Sequence, residues 1–146
     1  MSKAKSANLI LKLYELRREA VMREARNWFI TFFPGSAEEI IQAMINPETS
    51  AYYRMVTTYW DMAASFVLHG AIDEEMFSDA VGEHIIVFSK IEPFIEDLRK
   101  IMESPKYLAS LEKLVMKIPD AKETLAKRRE MMRRVVEARK EMAKNA

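Results

Sequence analysis

The chain has 146 residues, enough for one domain whose core removes roughly 70% of the unfolded chain's surface from water. Apolar residues make up 49%, charged residues 31%, and there is no cysteine, which excludes disulfides, thiol catalysis and thiolate metal sites. The balance is that of a soluble, cytoplasmic protein, since the longest uncharged run, Met62 to Ile72, falls short of the ~18 apolar residues of a membrane span.

The pattern is helical almost throughout, with no sustained period-two alternation and no Asn-Gly or Asp-Gly hairpin turn. Near the start, Lys12, Glu15, Arg17 and Arg18 interrupt the apolar residues, which predicts an amphipathic helix and not a signal-peptide core. That first helix is expected from about Ser6 to Phe33, with Ile10, Tyr14, Val21, Ala25, Trp28 and Phe32 on one stripe and Pro34-Gly35 as its stop. Its end, WFITFF, is apolar all round and is expected to be deeply buried. Ser36 with Glu39 forms a capping-box pattern for a short second helix, stopped by Asn46-Pro47. A third helix, about Glu48 to His69, has so little polar face that it should be central.

The stretch YWDMAASFVLHGAIDEEMF, residues 59–77, concentrates a histidine, a glycine and a run of three carboxylates, Asp73, Glu74 and Glu75. Each has a helix-end role. Gly70 suits the left-handed residue after a helix, Asp73 suits the N-cap of the next, and Glu74 and Glu75 fall where carboxylates meet the positive end of a helix dipole. The expected reading is a helix break and not an acidic site. A fourth helix then carries Phe77, Val81, His84 or Ile85, Phe88, Ile91, Ile95, Leu98 and Met102, interrupted at Pro93. Ser104-Pro105 opens a short helix to about Lys117, and Pro119-Asp120 opens the last, which should run nearly to the end.

Few residues carry chemistry. Two histidines without a His-x-x-x-His pair leave little for zinc, and the Glu-x-x-His motif of di-iron bundles fails because Val81 and Phe66 occupy the glutamate positions. Glu75, Asp79 and Glu83 stand one turn apart on one predicted face, which reads as a solvated face before a cation column. There is no glycine-rich phosphate loop. No catalytic residue, metal site or cofactor is assigned. Asp61 stands out as the one acid of the central helix after Glu48, among aromatic and apolar neighbours. A buried carboxylate needs a partner, and Arg99, Arg17 and Arg18 are the candidates.

Net charge is +1, but residues 1–27 carry seven basic and three acidic side chains, residues 70–103 three and nine, and residues 120–146 nine and five. Basic ends and an acidic middle favour packing the ends on the middle, of the same chain or of a second copy. The last helix is basic but laced with carboxylates at helical spacing, as in Glu130 with Arg134 and Glu141 with Lys144, which argues against tracking a nucleic-acid backbone. Its narrow apolar seam, Ile118, Leu125, Met132, Val135 and Met142, looks like a face for a partner helix. If the helix folded back only on its own chain, Met131, Val136 and Ala143 beside the seam should stay partly exposed.

Residues 57–100 resemble a family of small bacterial helical domains of unknown function. The resemblance rests on Trp60-Asp61, Gly70-Ala71-Ile72-Asp73, and Glu92-Pro93-Phe94-Ile95 followed by Arg99. Where the family pattern favours glutamate this chain has Asp61. The resemblance implies an all-helical fold with an acidic–arginine pair inside, which here would be Asp61 with Arg99, and it implies no activity.

The expectation is therefore an all-α, single-domain bundle of about five or six helices, with the last, about 120–145, as a possible partner-binding arm. The leading function is a non-enzymatic interaction module that self-associates as a homodimer, without nucleic acid and without membrane insertion. The alternative is a small-ligand binder with a pocket near Tyr59, Trp60, Asp61 and His84.

Overall fold

The structure, a computed structural model, describes residues 2–146. Among the described residues there are nine α-helices, one 3-10 turn and no strand. The helices are α1 (Lys3–Arg17), α2 (Ala20–Thr31), α3 (Ala37–Ile45), α4 (Ser50–Leu68), α5 (Glu74–Ala80), α6 (Glu83–Ile91), α7 (Ile95–Ile101), α8 (Ala109–Val115) and α9 (Ala121–Lys144), with the 3-10 turn at Glu92–Phe94.

The fold is all-helical, but the count exceeds the expected five or six because two predicted helices are broken. The first breaks at Arg18, where Glu19 turns extended and its carboxylate accepts the Met22 N–H at 2.9 Å. Thus a glutamate acts as the N-cap of α2. The fourth breaks at Val81-Gly82, with Val81 extended at φ −134°, and loosens again into the 3-10 turn around Pro93, which has no N–H to donate. The WFITFF end is less buried than expected. Phe29 is buried, Trp28, Phe32 and Phe33 are half-buried, and α2 stops at Thr31.

Between α4 and α5 the chain turns sharply. Gly70 has φ +81°, its N–H donates to Val67 O at 3.0 Å, and the Ala71 N–H donates to Phe66 O at 2.9 Å. This pair of bonds satisfies the last carbonyls of α4 and requires the left-handed residue that glycine tolerates. Asp73 then caps α5 by accepting the Met76 N–H at 2.9 Å.

α4 runs through the core. Tyr53, Val56, Trp60, Ala63, Ala64 and Val67 are buried, and the helix packs on α2 and α8 and touches α3, α5 and α6. α9 lies along α6 and reaches α2. The basic ends meet the acidic middle of the same chain: Lys3 pairs with Asp73 at 2.7 Å, Arg26 with Glu83 at 2.8 Å, and Arg129 lies 3.6 Å from Glu92. No helix among the described residues is long and apolar enough to cross a membrane.

Candidate functional site

Tyr59, Trp60 and Asp61 are consecutive on α4, so they point in three directions, about 100° apart around the helix. The Tyr59 hydroxyl donates to Leu13 O and ties α4 to α1. The Trp60 side chain is fully buried and its indole N–H donates to Glu83 Oε2 at 3.1 Å. Glu83 is held by the guanidinium of Arg26, with bonds of 2.8, 3.0 and 3.1 Å. Arg26 in turn donates to Arg17 O at 3.2 Å, and the Arg17 guanidinium stands 5.1 Å from the Trp60 ring centre. This Trp60–Glu83–Arg26 network joins α2, α4 and α6. It exists because the break at Gly82 reorients Glu83 inward. For the same reason the column of Glu75, Asp79 and Glu83 is not formed. No group of three or more His, Asp or Glu side chains that could hold a metal ion occurs among the described residues.

His84 follows Glu83 on α6 and is buried between Phe77, at 5.0 Å between ring centres, and Trp60, at 5.9 Å. Its Nδ1 has no hydrogen-bond partner. Burial, reinforced by the charge of Arg128, pushes its pKa down from 6.5 to about 4, so the ring is neutral at pH 7. His84 lines a pocket of about 220 Å³ together with Glu74, Ser78, Val81, Leu114 and Ile118. Tyr59, Trp60 and Asp61 do not line that pocket. Of the four residues expected near one ligand site, Tyr59, Trp60 and His84 adjoin through their rings, with 4.8 Å between the ring centres of Tyr59 and Trp60 and 5.9 Å between those of Trp60 and His84, while Asp61 is directed to α8; only His84 lines the pocket.

The ion pair expected between Asp61 and Arg99 is not formed. Asp61 Oδ1 accepts the Leu111 N–H at 2.9 Å, in the first turn of α8. The N-cap position of that helix is Leu108, left-handed at φ 54° and without a side-chain oxygen. Asp61 supplies from α4 the acceptor that Leu108 cannot. Arg99 finds nearer acceptors: Tyr107 O at 2.9 and 3.0 Å, Glu112 at 2.9 Å and Glu96 at 3.0 Å. Asp61 and Arg99 thus hold the same segment, residues 107–112, from two different helices. Tyr107 is fixed further by a 2.7 Å bond between its hydroxyl and that of Tyr53, and burial pushes its pKa up to about 12.

Sequence reasoning missed Lys90. It is 2% exposed, and its ammonium donates to Phe29 O at 2.6 Å and Ile30 O at 2.7 Å in the last turn of α2, where Phe29 O also accepts the Phe32 N–H at 3.1 Å. The signal was present: Lys90 is the one charge in IIVFSKI, residues 85–91, just as Asp61 is among its aromatic neighbours.

No curated protein and no solved structure matches the chain. A family model described as a domain of unknown function matches residues 3–118, which span α1 to α8 and leave α9 outside the match. The chain therefore belongs to the family of that description, Domain of unknown function (DUF4760).

Proposed function

We propose that the protein is a non-enzymatic helical interaction module that self-associates through the outer face of α9. One observation carries this reading. Met131, Val135, Ala138 and Met142 recur at spacings of four, three and four residues, the interval of a two-helix seam, and Met131 and Met142 are 53% and 74% exposed. The inner stripe of the same helix is already used, because Leu125 and Val136 are buried against the chain's own body. Of the residues expected to remain uncovered on such folding back, Met131 and Ala143 are exposed, whereas Val136 is buried. From Glu137 onward every residue is exposed, and only Arg139, Lys140 and Ala143 line a shallow pocket with Asn27, Ile30 and Thr31 of α2.

The occupant of the seam is a second copy, antiparallel to the first. In that pairing Arg134 of each helix faces Glu141 of the other across the two-fold axis, whereas a parallel pair sets Arg134 against Arg139. The contact is short, so the dimer should be weak, near the roughly 1,000 Å² lower bound of specific interfaces. Sedimentation at increasing concentration tests it. The expected result is a rise from 17.0 kDa towards twice that mass, abolished by Met131→Glu with Met142→Glu. A mass that stays monomeric at high concentration removes the reading.

A further inference from the structure

We propose that the pocket between the α2–α3 connection, the 3-10 turn and α9 binds a small organic anion with a planar carboxylate head and a flat apolar body. This pocket lies away from the seam on α9 and from the pocket lined by His84. Three cations line it: Lys90 from α6, and Arg129 and Arg133, one turn apart on α9. Its walls are flat and apolar, built from Phe33, Pro34, Pro93 and Phe94.

The cations are incompletely satisfied. Lys90 spends two of its three N–H donors on the carbonyls of α2, and its third has no acceptor, only the Phe33 ring centre 4.1 Å away. Arg129 donates to Ser89 O at 2.7 Å and lies 3.6 Å from Glu92. Arg133 stands over Phe33 at 4.9 Å from the ring centre, and no carboxylate lies within 4.0 Å of it among the described residues. Two carboxylates stand nearby. Glu92 is engaged as described, and Glu39 accepts the Gly35 N–H at 2.6 Å. Neither lines the pocket, and three cations against two carboxylates leave an excess of positive charge.

An anion is the occupant that such a lining favours, and the guanidinium fork matches a planar carboxylate with two parallel bonds. The apolar walls select a body that a bare inorganic ion lacks. At about 180 Å³ the space suits a single ring with its head group, below the roughly 300 Å³ at which pockets for larger ligands begin. Burial and the charge of Arg133 push the Lys90 pKa down from 10.5 to about 7, so a bound anion would also remove that strain by holding the ammonium charged. Two of the three cations, Arg129 and Arg133, lie on α9, outside the residues that the family model matches.

The test is calorimetric titration of the full chain with benzoate, and separately with inorganic phosphate, near neutral pH. Benzoate should bind saturably and more tightly than phosphate. Arg133→Gln, at an exposed position, and Arg129→Gln should each weaken benzoate by about tenfold or more, the effect of losing a charged fork. Lys127→Gln removes the same charge from a side chain of α9 that is 77% exposed, and should leave affinity within about twofold. Absence of saturable benzoate binding overturns the proposal. So does an equal loss in Lys127→Gln, which would mean unspecific attraction, and so does phosphate binding where benzoate fails.

Discussion

His84 shows how a single side chain ties stability to pH. Its ring is almost wholly out of water and Nδ1 is unpartnered, so the charged form is disfavoured in the fold. The folded pKa, about 4, lies below the ordinary 6.5, so the unfolded chain binds more protons between those values. Stability is therefore complete above about pH 6.5 and falls as pH drops through 4, by up to about 3 kcal/mol from this residue. Carboxylates titrate over the same range, which makes the difference between wild type and His84→Gln the informative quantity. Urea unfolding between pH 7 and 4 should show the wild type losing more stability than the variant. Parallel curves would mean that the imidazole is not held neutral.

At the scale of elements, the molecule depends on helix ends being completed by other helices. α8 has Leu108 at its N-cap, which offers no oxygen, and borrows Asp61 from α4. At the end of α2, Lys90 of α6 donates to two carbonyls, Phe29 O and Ile30 O. This changes what a substitution at Asp61 means. Had Asp61 paired with Arg99, Asp61→Ala would strand a buried charge at a cost of about 3–5 kcal/mol. As the acceptor for one N–H of a short helix, it should cost about 1 kcal/mol, within the roughly 0.5–2 kcal/mol of lost N-caps. Denaturant midpoints of the two proteins distinguish these values. The exchange-protection of the Leu111 amide should fall most, since its acceptor is the one removed.

The whole molecule divides α9 into two parts with different duties. Up to Val136 it closes the bundle over α6 and α2, and beyond that point it covers little. Removing residues 137–146 should leave stability within about 0.5 kcal/mol, as expected for exposed surface. The same truncation should abolish concentration-dependent association, because it removes Ala138 and Met142 from the seam. A truncated chain that still dimerises would move the interface elsewhere. The exposed apolar residues of α1, Leu9, Leu11, Tyr14 and Leu16, are the surface it would then point to.

Local chemistry made much of this molecule readable in advance. Apolar periodicity marked the helices, and the turn at Gly70 and the cap at Asp73 follow from the few residues on either side of them. The excess of basic charge at both ends and acid in the middle was likewise visible in the chain. The breaks at Arg18 and Gly82 were not, because neither carries a strong stop signal and each is stabilised by contacts made after folding: Glu83 turned towards Trp60 and Arg26, and α1 tied to α4 through Tyr59. Partner choice was beyond the sequence for a similar reason. Asp61 on an apolar helix announces a need for a donor, but a peptide N–H and a guanidinium both meet that need. Only the position of α8 decides that the donor is Leu111 and that Arg99 is spent on Tyr107 and Glu112. Likewise the bare charge of Lys90 is legible in IIVFSKI, while the convergence of Lys90, Arg129 and Arg133 around Phe33 depends on packing α9 against α6, residues some forty positions apart.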